Sequence, residues 1–152
     1  MTRQDLPVVE LTQQDGFAFA IRFDGCADVW LGDEHPPLGL GRGPTPAQLL
    51  TAAVSNCMVD ALFFALRKFN PDIPPSLRAQ GWATIGRNPQ GRLRVLGLKV
   101  VLHLPLPSMD IQHLERILTQ FEEFCTVGRS VAQGIPVQLL VLDVSGQLLK
   151  DG

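Results

Sequence analysis

The chain has 152 residues, 45% of them hydrophobic, with 13 Lys and Arg against 15 Asp and Glu and a formal net charge of −2. That length suits one domain, residues 1–152, with a core that needs no disulfide staples, and the composition excludes a disordered chain. No basic patch stands out, which argues against a nucleic-acid partner.

In chain order, Met1-Thr2-Arg3-Gln4-Asp5 leads straight into a strand-like run without a signal-peptide pattern. Together with an odd number of cysteines, three, this gives the expectation of a cytoplasmic protein with reduced thiols. Residues 7–11 and 17–23 read as strands joined across Gln13-Gln14-Asp15-Gly16, where Asp-Gly is a hairpin signal. Phe17, Phe19 and Ile21 alternate as a half-buried strand requires. A short third strand is expected over residues 28–31. Residues 35–44, rich in proline and glycine, read as a loop, a flexible lid or connector.

A long helix should follow. Thr45 suits its N-cap, Pro46 its first position, and Gln48 stands three residues after Thr45, a capping-box spacing. The helix should run to about Phe69, where Asn70-Pro71 ends it. Residues 49–66 are apolar enough to span a membrane but carry Thr51, Ser55, Asn56 and Asp60, and a charge in mid-bilayer is costly. No membrane is therefore expected, and the helix should be buried on nearly all sides. Strands are expected at 79–87 and 93–104 around an Asn88-Pro89-Gln90-Gly91 turn. A second helix is expected over 108–124, since Ile111, Leu114, Ile117, Leu118 and Phe121 recur at three and four residues. A helical turn at 130–133, a buried strand at 137–144 and a polar tail at 147–152 complete the chain. The order indicates an α+β fold, antiparallel sheets around a long buried central helix. So apolar a helix would leave a greasy patch on a monomer, and a homodimer with that helix central removes it.

Two thiols lie on patterned helices: Cys57 in the middle of the first and Cys125 at the end of the second. Packing alone accounts for either, because free cysteine is among the most buried residue types. As a pair they admit redox chemistry, in which a thiolate is oxidised to a sulfenic acid and a second thiol condenses with it. Cys57 lies about three turns into its helix, so activation has to come from a nearby cation or hydrogen-bond donors.

Gly43-Pro44-Thr45-Pro46, Leu49-Leu50, Ala52-Ala53 and Cys57, then Cys125-x-Val127 and Ile135-Pro136-Val137, resemble the OsmC/Ohr family of osmotically inducible and organic hydroperoxide resistance proteins, and its OsmC-like branch in particular. The resemblance implies an intertwined homodimer with sites at the subunit interface and a thiol-dependent peroxidase acting on organic hydroperoxides. It makes Cys57 the peroxidatic thiol and Cys125 the resolving thiol, with a dithiol or lipoylated protein as reductant and no cofactor. Characterised peroxidases of the family place an arginine-pairing glutamate ten residues before the first cysteine; this chain has Ala47 there, beside neutral Gln48. Arg42 and Arg22 are the nearest candidates for the arginine, with Arg42 preferred, and a guanidinium beside Cys57 would favour its thiolate.

Asp60, three residues after Cys57, would oppose the thiolate unless a cation intervenes. Cys26, His35, Cys57 and Cys125 lack paired metal-ligand spacing, so no metal is expected, and the glycines of residues 39–43 have the wrong spacing for a dinucleotide loop. Leu50, Val54, Met58, Ala61 and Phe64 either line a pocket for a hydrophobic substrate or are ordinary core. The alternative functions are a non-catalytic protein that binds a small apolar ligand at the dimer interface and a purely structural dimer module.

Overall fold

The computed structural model describes residues 8–152, so the start of the first expected strand, Pro7, lies outside the described residues. By its internal contacts the chain divides into two compact units, residues 1–49 and 50–152.

The first unit carries a three-stranded antiparallel sheet of β1 (Val9–Asp15), β2 (Ala18–Phe23) and β3 (Val29–Gly32), in that order. The hairpin turns at Gly16, whose φ of 47° lies in the left-handed region that glycine adopts without steric cost. The loop after β3 is tied down rather than loose. Buried Asp33 accepts hydrogen bonds from the amides of Glu34 (2.8 Å), Leu40 (3.3 Å) and Arg42 (3.2 Å) and from Arg42 Nε (3.2 Å). Arg42 Nη1 donates to Asp15 at 3.0 Å, pinning the loop to the end of β1.

Helix α1 (Pro46–Phe69) starts with the expected capping box. The Gln48 amide donates to Thr45 Oγ1 (3.2 Å) and the Thr45 amide donates to Gln48 Oε1 (2.9 Å), so two amides that open the helix are satisfied reciprocally. Its buried stripe is Thr51, Val54, Ser55, Met58, Leu62 and Leu66, at helical spacing. Within the single chain the opposite face is open: Ala52, Ala53, Asn56, Asp60 and Phe64 are exposed, and Phe64 is 63% accessible. The helix is long and apolar enough to cross a membrane by length and composition, but its stripe belongs to the core of the second unit.

That unit is a four-stranded sheet in the order β4 (Arg78–Arg87), β5 (Leu93–His103), β6 (Val137–Leu142) and β7 (Leu148–Asp151). β4–β5 and β6–β7 are antiparallel, whereas β5 and β6 run parallel, so the sheet is mixed rather than wholly antiparallel. A parallel pair needs a long crossover. Residues 104–136 supply it, and they hold the second thiol. The single helix expected over 108–124 is broken into a 3₁₀ turn (Ser108–Asp110), helix α2 (Leu114–Gln120) and a second 3₁₀ turn (Phe121–Phe124). His113 interrupts the first junction at φ 59°. Helix α3 (Thr126–Val131) then replaces the helical turn expected at 130–133.

The expected strand over 137–144 stops at Leu142, because buried Asp143 turns the chain. Asp143 accepts from the amides of Ser108 (3.1 Å), Ser145 (2.9 Å) and Gln147 (3.0 Å) and from the Ser145 hydroxyl (2.6 Å). The expected polar tail is strand β7, whose Lys150 reaches Leu118 O (2.8 Å) and Glu122 (3.1 Å) on the crossover.

Helix α1 approaches β4 at Gly81. A Cβ there would lie 2.5 Å from Ser55 Oγ and 2.7 Å from Thr51 Cγ2, so only glycine fits. The Ser55 hydroxyl is buried in this contact without a hydrogen-bond partner. An unmade buried hydrogen bond costs about 1–3 kcal/mol. Ser55→Ala is therefore expected to raise stability by about 1 kcal/mol. Gly81→Ala should lower it by about 1–3 kcal/mol through overpacking. The double variant should recover part of that loss, because the hydroxyl the new methyl strikes is gone. Urea unfolding midpoints of the three variants check this.

Candidate functional site

Helix α1 places Cys57 beside its buried stripe, half-buried, one residue before core Met58. Cys125 is the residue between the second 3₁₀ turn and α3, with extended backbone (φ −85°, ψ 92°), and its side chain is 1% exposed. The structure brings the two thiols together: the Cys125 S–H donates to the Cys57 sulfur, and both cysteines are free.

Local backbone completes the arrangement. The first amides of any helix lack partners within it. At α3 no side chain of its own caps them; instead the Val127 amide donates to Cys57 Sγ at 3.3 Å and the Gly128 amide is also directed to that sulfur. Cys57 thus supplies the acceptor that a capping side chain would otherwise provide.

These contacts pull the two thiols apart in acidity. For Cys57, burial pushes the pKa up, but the Val127 amide, the Cys125 thiol and the Gly128 amide outweigh it, and the result lies below the ordinary thiol value despite the opposing charge of Asp60. For Cys125, burial is the largest cause and its hydrogen bond to Cys57 adds to it, so the pKa is pushed up to about 11. The two sulfurs are thus shifted in opposite directions, Cys57 toward easier ionisation and Cys125 away from it.

The remaining residues singled out in the sequence lie as follows. Arg42, in the first unit, holds Asp33 and Asp15 with its guanidinium; Arg22 is exposed on β2. Val54 and Met58 are buried in the core of the second unit, Leu50 and Ala61 pack against that core, and Phe64 faces outward. Cys26 is exposed in the turn after β2. No group of three or more His, Cys, Asp or Glu among the described residues is placed to hold a metal ion.

The Val127 and Gly128 amides went unread in the sequence, because every residue but proline has such a donor. The one available signal was Gly128, a glycine inside a short helix with nothing in the local pattern to explain it.

A three-stranded antiparallel sheet, a long helix and a mixed four-stranded sheet define an α+β fold. The chain belongs to the OsmC-like protein family, whose model matches residues 39–140. It is 28% identical over 119 residues to an uncharacterized protein of Acinetobacter baylyi, covering 78% of this chain and 80% of that one. Its fold is that of an OsmC-like protein from Mycoplasma pneumoniae (TM-score 0.70, 13% identity, 90% of this chain and 95% of the other). It also matches the organic hydroperoxide resistance protein OhrB of Bacillus subtilis (TM-score 0.64, 19% identity, 88% and 96%).

The thiol geometry sets a pH dependence. In a Cys26→Ser background, thiolate absorbance should rise in two steps, Cys57 below the ordinary cysteine range and Cys125 near pH 11. In a Cys57→Ser variant the upper step should move down, because the Cys57 sulfur no longer takes up the Cys125 proton, yet stay above the ordinary value because burial remains. An unmoved upper step would show that the two sulfurs do not interact.

Proposed function

We propose that the chain is a thiol-dependent peroxidase that reduces organic hydroperoxides, with Cys57 as nucleophile and Cys125 as resolving thiol. The observation that carries this reading is the Val127 amide's hydrogen bond to Cys57 Sγ at 3.3 Å from the segment that carries buried Cys125, with each thiol shifting the other's acidity.

The chemistry divides into two steps. The Cys57 thiolate attacks the terminal oxygen of ROOH; the O–O bond breaks, an S–O bond forms, and the alkoxide takes a proton to leave as ROH. Cys57 is now a sulfenic acid. The Cys125 sulfur then attacks Cys57, its proton leaves with the hydroxyl as water, and a disulfide forms. An external dithiol, free or carried as a lipoyl group on a protein, restores both thiols by exchange. A thiol held near pKa 11 is a poor nucleophile on its own, but here its proton is already directed at the atom that will carry the leaving hydroxyl. Apolar Phe124 and Val127 flank Cys125 and are partly or largely exposed, which favours organic peroxides over hydrogen peroxide.

The working unit of this reading is an intertwined homodimer of single-domain chains, in the reducing conditions of the cytoplasm. Exposed Phe64 toward the C-terminal end of α1, with Ala52 and Ala53 about three turns before it, is the kind of face a second copy covers. Sedimentation at micromolar concentration should give twice the chain mass of 16.6 kDa; a monodisperse monomer overturns the dimer.

A second reading, non-catalytic binding of a small apolar ligand, finds support in a cavity of about 160 Å³ in the first unit, lined by Leu11, Phe17, Phe19, Ile21, Pro44 and Leu49. Turnover separates the two. Cys57→Ser should abolish consumption of an organic hydroperoxide in the presence of dithiothreitol, and Cys125→Ser should leave a sulfenic acid that a dimedone-type reagent traps. Equal turnover in wild type and Cys57→Ser sinks the peroxidase.

A further inference from the structure

Gly128 stands in the third position of a six-residue helix, at a backbone conformation alanine adopts freely. Glycine loses more conformational freedom than alanine on entering a helix, so local preference favours a side chain here. What opposes it lies in the thiol pair. A Cβ at position 128 would lie 2.7 Å from Cys125 Sγ and 3.1 Å from Met58 Cε. The first distance is one that carbon and sulfur cannot share. The Gly128 amide is meanwhile directed at both sulfurs.

We propose that Gly128 is a positioning residue: its missing side chain is the space in which the Cys125 sulfur lies against Cys57, so it governs disulfide closure rather than the first attack on peroxide. The proposal rests on the reading of Cys57 and Cys125 as a redox pair. The Cys125 sulfur is the end of a short rotatable side chain. A methyl at 128 would turn it about χ1, away from Cys57, before it displaced backbone. Met58 Cε, at the end of a long flexible side chain, gives way more easily. The Val127 amide, which holds the Cys57 thiolate, is untouched. Loss of the glycine therefore separates the two steps of the cycle. Oxidation of Cys57 continues, and the sulfenic acid waits for a partner that no longer faces it.

The test uses the full chain with Cys26→Ser, comparing Gly128→Ala with Gly134→Ala, a nearby glycine whose Cβ would meet nothing within 4 Å. Two readouts are taken. The first is the disulfide fraction at equilibrium with reduced and oxidised dithiothreitol, which needs no peroxide. The second is the rate of disulfide closure after one equivalent of organic hydroperoxide, set against the rate at which Cys57 is first oxidised. Gly128→Ala should shift the equilibrium toward the dithiol and slow closure, each by roughly 10- to 100-fold, as misplacement of a reacting group does. First oxidation should slow as well, because Cys57 loses the Cys125 hydrogen bond, but by several-fold less than closure since the Val127 amide remains on its sulfur, a split that a general loss of structure would not produce. Gly134→Ala should match the parent in both. Equal equilibrium and closure in Gly128→Ala and the parent overturn the proposal. If the parent shows no peroxide turnover while the equilibrium still shifts in Gly128→Ala, the peroxidase reading falls and the positioning role stands. If Gly128→Ala does not fold, Gly128→Ala combined with Cys125→Ala decides: recovery of folding supports a clash with that sulfur, and continued failure overturns it.

Discussion

The site depends on one packing contact, the closure of residues 125–128 against helix α1 beside Met58. The buried stripe of α1 and the side chains of Phe121 and Cys125 belong to one core with Val100 and Leu102 of β5 and Leu139 and Val141 of β6. Because β5 and β6 are parallel, the chain between them must cross over, and that crossover carries Phe121 and Cys125 into the core. Lys150 of β7 fastens the same segment by its bonds to Leu118 O and Glu122. A thiol in mid-helix, far from its own helix N-terminus, is thereby met by the first amides of another helix.

Those amides settle what kind of activation is available. They are neutral donors, so they favour thiolate over thiol by hydrogen bonding and partial charge, not by a full opposing charge. Burial and Asp60 work against them. The balance leaves the Cys57 thiol below its ordinary value through neutral donors alone. Burial acts on both thiols in the same direction. The amides and the Cys125 hydrogen bond bring Cys57 down, while that hydrogen bond takes Cys125 further up.

Much of the fold was legible where local chemistry and tertiary packing agree. Thr45 and Gln48 announce the start of α1 because the capping box is made by the residues themselves. Asp15-Gly16 announces the hairpin because the turn needs a positive φ. The crossover was misread as one helix because Ile111, Leu114, Ile117, Leu118 and Phe121 keep helical spacing across a break at His113 that side-chain polarity does not reveal. β7 was missed because Gln147-Leu148-Leu149-Lys150 lacks strand alternation, and its pairing is fixed by Asp143, whose four bonds turn the chain back. At the site, the two cysteines were legible by resemblance, whereas the donors that act on them belong to backbone and leave no mark beyond a glycine.

Arg42 illustrates how far a charged residue named from sequence depends on its company. This arginine is held by Asp33 and Asp15. Both aspartates are driven toward ionisation. For Asp15 the Arg42 side chain is the largest cause; for Asp33 burial opposes, and the Arg42 and Glu34 amides, the Arg42 side chain and the Leu40 amide outweigh it. At neutral pH the group therefore sets one positive charge against two negative ones. The donors that lower the Cys57 pKa all come from residues 125–128 of its own unit, while the Arg42 guanidinium is engaged by the two aspartates that fix its own loop.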